Sequence, residues 1–193
     1  MTRTSFARCL LPLVLAILVL GPSHLPADSA SDPPQYEITD LGSLDTAYSG
    51  TTPAALNSSG DVVGVSSVIA PNNMIESRAF LYTAEEGMQP IVPLSYRNFA
   101  FGINFRGDVV GARTPENAIF PQEAFLYTRS DGTVRGLEGV PKPSAALSIN
   151  DENQVVGYIG SHLYWDAKAF LWSNAGFVDL HAGLAGGPSQ SAA

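Results

Sequence analysis

Beyond its first thirty residues the chain holds two histidines, His162 and His181, and no cysteine. Acid–base catalysis, a nucleophilic triad or a histidine-bound metal would each have to use one of these two side chains. Neither stands in a catalytic spacing: there is no HExxH and no GxSxG. The pentapeptide Gly-Asp-Val-Val-Gly occurs at residues 60–64 and again at 107–111, but it lacks the lysine and following hydroxyl residue that a phosphate-cradling loop needs. Surface or loop-packing roles are therefore expected for both histidines, and no catalytic residue is assigned.

Oxygen donors offer two further chemistries. The turn Asn150-Asp151-Glu152-Asn153 gathers ligands that a hard cation such as calcium accepts. Hairpin turns favour Asn and Asp for their own geometry, so an ordinary turn without cofactor is the reading preferred. Glycosidic cleavage needs two carboxylates about 5 to 10 Å apart, and the acids here are scattered over many loops with no pair singled out. One loop is aromatic: Tyr158, His162, Tyr164 and Trp165 fall close together. Such a cluster stacks on sugar rings or on an apolar partner; alternatively Tyr164 and Trp165 cap the hydrophobic end of the fold, which is the plainer expectation.

The elements that must position these groups are repeated. Three segments align: AALNSSGDVVGVS with RAFLYTAEEGMQPIVPL, FGINFRGDVVGAR with EAFLYTRSDGTVRGL, and LSINDENQVVGYI with KAFLWSNAGFVDL. Asn57, Asn104 and Asn150 are spaced by 47 and 46, and Phe80, Phe125 and Phe170 by 45 each. The repeats cover about 54–94, 100–137 and 146–180.

Each repeat predicts four short strands. An apolar strand leads to Asn-x-x-Gly (Asn57 to Gly60, Asn104 to Gly107), a turn in which asparagine bonds its own backbone and glycine takes positive φ. The third copy puts Asn153 at the glycine position, and asparagine tolerates that conformation next best. A strand through Gly64, Gly111 or Gly157 follows, then a variable loop (65–77, 112–122, 158–167). The third strand, AFLYT or AFLWS, is apolar on both faces. A fourth ends at Leu94, Leu137 or Leu180. A strand apolar on both faces must be covered on both sides, which face-to-face stacking of sheets provides in a β-propeller. The fold expected is thus all-β, three tandem four-stranded antiparallel units, propeller-like and open or incomplete. The aspartates of the repeated pentapeptide are structural on this reading, since Asp61 and Asp108 become Gln154 in the third unit.

The recurring Ile-Asn, x-Gly-x-Val-Val-Gly and Ala-Phe-Leu-Trp/Tyr elements resemble the HAF repeats of extracellular bacterial proteins, named for a His-Ala-Phe triplet. The resemblance runs from about Tyr36 to Leu184, with Arg78, Glu123 and Lys168 in place of the triplet's histidine. It implies a secreted, propeller-like repeat protein and brings no catalytic residues.

The amino end agrees with export. Arg3 and Arg8 precede an apolar run, Leu10 to Leu20, then Gly-Pro and small residues. This is the pattern of a cleaved signal peptide, residues 1–30, and the run is shorter than the roughly 20 residues that span a bilayer. Removing Arg3, Arg8 and Asp28 from ten basic and eighteen acidic residues leaves eight and seventeen, a formal charge of −9. That balance disfavours nucleic acid as a partner. The lone Cys9 departs with the leader. Residues 31–193 are enough for one domain with a core.

The two ends pose a problem of closure. ITDLGSL (38–44) matches the end of a repeat, so an extra strand is expected over 36–44, and residues 181–193 resemble the start of a further repeat. Three units are fewer than the usual four to eight blades. The alternatives are the amino-terminal piece of a longer product, an open stack or ring completed by self-association through open sheet faces, and a closed domain of unusual blade number. The function expected is a non-catalytic binding or structural scaffold for a protein or polysaccharide; the alternatives are a propeller-type carbohydrate-active enzyme and a fragment without independent function.

Overall fold

Valine pairs and Ala-Phe-Leu runs punctuated by asparagine and glycine are what short antiparallel ladders accept. The computed structural model describes residues 35–47, 50–70, 72–92, 97–114, 122–160 and 166–182. The chain divides into two units, Met1–Ile38 and Thr39–Ala193. Residues 35–38 of the first form no strand; among the described residues the second contains twelve strands and no helix.

The strands form three antiparallel sheets, each in simple chain order. The first holds β1 (Thr51–Leu56), β2 (Val62–Ile69), β3 (Ile75–Thr83) and β4 (Gly87–Pro90). The second holds β5 (Asn98–Ile103), β6 (Val109–Arg113), β7 (Glu123–Thr128) and β8 (Thr133–Gly136). The third holds β9 (Ser144–Ile149), β10 (Val155–Ile159), β11 (Lys168–Ser173) and β12 (Gly176–Asp179). One repeat is therefore one sheet, and the architecture is an open, propeller-like stack.

Period-two alternation divides each sheet into a leading and a trailing face. Val63, Ala79 and Leu81 on the trailing face of the first sheet share a core with Ala100, Ile103, Val109 and Phe125 of the second. Val110, Ala124 and Leu126 trail the second and share a core with Ala146, Ile149, Val155, Phe170 and Trp172 of the third. Phe80, Phe125 and Phe170 are each fully buried. The expectation that the third strand is covered on both faces holds for β3 and β7. It fails for β11, where Ala169 is exposed and Leu171 half-buried, because among the described residues no sheet covers the third on that side.

The repeated glycine of the second strand has a steric cause. Gly64, Gly111 and Gly157 lie in register with Phe80, Phe125 and Phe170. A Cβ at these positions would collide with the carbonyl oxygens of Thr52, Phe99 and Ala145 and stand 3.0, 2.8 and 2.8 Å from the phenylalanine ring. The first strand of each sheet breaks register at this level, pushing its backbone into the space glycine leaves.

Three boundaries differ from the sequence expectation. No strand forms over 36–44: a fourth strand needs a third to pair with, and none is present among the described residues before residue 51. Segment 41–45 instead lies against the first sheet's β2, with the Leu44 N–H donating to Ser66 Oγ at 3.2 Å and the Ile69 N–H donating to Asp45 Oδ2 at 2.9 Å. The residue equivalent to Leu137 and Leu180 is Ile91: the three N–H groups donate to the carbonyls of Ala124, Ala169 and Ala79 respectively. Leu94, the expected end of the fourth strand, lies outside the described residues. The first strands begin at Thr51, Asn98 and Ser144, two or three residues before the apolar signal, because their opening residues are polar.

Candidate functional site

The β1–β2, β5–β6 and β9–β10 turns line up at one end of the stack. In the first, Asn57 Oδ1 accepts the N–H groups of Ser59 and Asp61, both at 3.0 Å. In the third, Asn150 Oδ1 accepts from Glu152 and Gln154 at 3.1 and 2.8 Å. The last turn position takes positive φ: 83° at Gly60, 82° at Gly107 and 59° at Asn153. The asparagine amides also reach across sheets. Asn57 Nδ2 donates to the Asn104 carbonyl at 3.1 Å, and Asn104 Nδ2 donates to the Asn150 carbonyl at 3.4 Å. The three turns thus form a hydrogen-bonded ladder perpendicular to the strands.

The acids of this end hold the framework. Asp61 Oδ2 accepts from Asn57 Nδ2 at 3.1 Å and pairs with Arg129 Nη1 at 2.6 Å. Asp108 accepts from Asn104 Nδ2 at 3.2 Å and from the Arg129 N–H at 3.1 Å. Gln154 Oε1 takes the same place in the third turn, 2.7 Å from Asn150 Nδ2. A shallow groove of about 340 Å³ runs beside the ladder, between Asn57, Asn104, Phe105 and Asn150 to Glu152. Of the oxygens considered for calcium, Asp151 Oδ1 accepts the Phe105 N–H at 2.8 Å, and Asn153 Oδ1 accepts from Asn104 Nδ2 at 2.9 Å and Arg106 Nη2 at 2.7 Å. Among the described residues no three His, Cys, Asp or Glu side chains gather as a metal set.

Antiparallel alternation puts the variable loops and the inter-sheet linkers at the opposite end. These loops are shorter than the sequence suggests. β2 continues to Ile69 and β3 starts at Ile75, so 70–74 alone connects them. Tyr158 is not in a loop: it lies on β10 opposite Ala145 and Ala169, because the Val-Val-Gly-Tyr-Ile run keeps its ladder to the end. Burial pushes its phenol above the ordinary tyrosine range. His162, Tyr164 and Trp165 lie outside the described residues, so the expected aromatic cluster is represented by Tyr158 alone. At this end Glu123 bridges Arg113 Nε at 3.2 Å and Lys142 Nζ at 2.8 Å. Burial opposes the Glu123 carboxylate, but the Lys142 hydrogen bond and the charges of Arg113 and Lys142 outweigh it and hold the group below its ordinary value.

The polar residues that open the first strands were not singled out from the sequence. Asn98 Oδ1 accepts the Ala79 N–H at 2.5 Å and Ser144 Oγ accepts the Ala124 N–H at 3.1 Å, so each fastens the sheet before it. Both are buried, and the signal that could have exposed them is a polar residue six places before each repeat's asparagine.

No family model matches the chain, and neither a curated protein nor a solved structure is significantly similar to it.

Proposed function

We propose that the chain is a secreted repeat scaffold that acts by binding rather than catalysis, of the kind the HAF-like repeats and the amino-terminal leader pattern imply. The observation that carries this reading is the employment of its carboxylates. Among the described residues the two buried acids, Asp61 and Asp108, are both committed to the turn ladder. A glycosidase acid pair needs one carboxyl free to give up a proton and another free to attack or to activate water. The chemistry of repeated positions is thus spent on architecture, while the β2–β3 type loops differ from unit to unit in length and content. Loops that vary on a constant scaffold are where binding specificity resides.

The ligand class proposed is a polysaccharide or a protein surface, engaged at the loop end. The test is a glycan array run beside hydrolysis assays on the glycans bound. Retention of a glycan without release of reducing ends agrees with the proposal. Turnover that disappears when one carboxylate is neutralised would replace it with a carbohydrate-active enzyme.

A further inference from the structure

The stack ends on two faces that are each other's complement. On the trailing face of the third sheet, Val156 occupies the register position of Val63 and Val110. Those two are fully buried by the next sheet, whereas Val156 is 44% exposed. On the leading face of the first sheet, Leu56 occupies the position of Ile103 and Ile149, paired with Val62 as they are with Val109 and Val155. Ile103 and Ile149 are 9% and 7% exposed, and Leu56 is 72% exposed. Segment 41–45 lies on this face toward Ser66, and Phe80 at its middle is fully buried, so the open part of the face is its turn end, at Leu56 with the half-buried Val62 and Tyr82.

The outer strand carries the same asymmetry. Gln89 and Arg135 trail the first and second sheets, and the Arg135 guanidinium lies over the Trp172 ring, 5.8 Å from its centre. The equivalent residue in the third sheet is Val178, exposed, so the uncovered face is more apolar at its rim than the two covered ones. The asparagine ladder also has two termini that match. Asn104 and Asn150 each receive an amide from the preceding turn at their carbonyls. The Asn57 carbonyl begins the ladder and the Asn150 amide ends it.

We infer that a second copy of this chain docks head to tail, the trailing face of its third sheet covering the leading face of the first. The junction repeats the turn-end part of the two interfaces already inside the molecule: Val156 and Leu171 against Leu56, Val62 and Tyr82, with Asn150 Nδ2 aimed at the Asn57 carbonyl. Because the two faces differ, the contact is heterologous, and it produces a closed ring where the rotation closes and a filament where it does not.

Heterologous contact has a signature that symmetric pairing lacks. Leu56→Glu spoils only the leading face and Val156→Glu only the trailing face, and both residues are exposed within one copy. Light scattering behind size exclusion should show the unmodified protein as an oligomer whose mass rises with concentration or settles at a ring. Each variant alone should run as a monomer, and an equimolar mixture should regain twice the monomer mass and no more. The inference is overturned if the unmodified protein is monomeric throughout, if either variant alone still pairs, or if the mixture stays monomeric while urea melts show both variants folded. None of these outcomes depends on whether a glycan is bound.

Discussion

Asn57 and Asn104 stand forty-seven residues apart in sequence, and the side-chain amide of the first donates to the main-chain carbonyl of the second at 3.1 Å. A residue type chosen for a local turn thereby doubles as the tie between sheets. Asn104→Ala should remove both functions and leave buried partners unsatisfied, costing about 1–3 kcal/mol. Asn150→Ala, whose amide reaches only Gln154 in a more exposed turn, should cost less. Urea midpoints at constant m-value measure the difference.

Gly111→Ala and Gly132→Ala separate two reasons for glycine. Gly132 takes φ of 67° with open space around it, so alanine there should cost about 1–2 kcal/mol for the left-handed backbone. At Gly111 the added carbon meets the Phe99 carbonyl and the Phe125 ring. That substitution should displace β5 or the ring and cost more than the turn variant, as a thermal melt of the two proteins would show.

Leu126 and Leu171 are equivalent residues on covered and uncovered trailing faces. Leu126→Ala should destabilise by about 2–5 kcal/mol, as a buried leucine does. Leu171→Ala should cost distinctly less when protein concentration is low enough to keep copies apart. Equal losses would mean that the third sheet is covered within a single chain.

The Glu123 carboxylate gives the loop end a pH dependence. Its folded value is held below the ordinary 4.5 by Lys142 and Arg113. A depressed acid contributes stability that is present above its unfolded value and lost as pH falls through the folded one. The stability gap between the unmodified protein and Glu123→Gln should therefore persist at neutral pH and close as pH drops below about 4.5. Denaturation at pH 7, 4 and 3 reads this directly.

The turns and second strands could be read from sequence because each key residue has a local mechanism: Asn57 bonds its own backbone, Gly60 takes positive φ, and Phe80 recurs with its spacing. Asn98 and Ser144 are not legible as ties because they are polar residues at strand starts, and their purpose is a bond to another sheet. Tyr158 reads as a loop residue in sequence because the third unit's loop is rich in aromatics and hides where the ladder stops. The segment 36–44 carries the pattern of a fourth strand but pairs with no third among the described residues, and pattern alone does not reveal whether a partner is in place. The exposed Leu56 and Val156 follow from position in the stack, which only the assembled sheets display.

The repeated residues build one stack whose sheets depend on each other. The most direct test is a urea melt of the purified protein followed at once by far-ultraviolet circular dichroism, which sees all three sheets, and by tryptophan fluorescence, to which Trp172 in the third sheet contributes. Coincident single transitions are predicted, since Trp172 and Phe170 share their core with Val110 and Leu126 of the second sheet. Fluorescence that changes well before the dichroism would show the third sheet unfolding by itself and contradict the account.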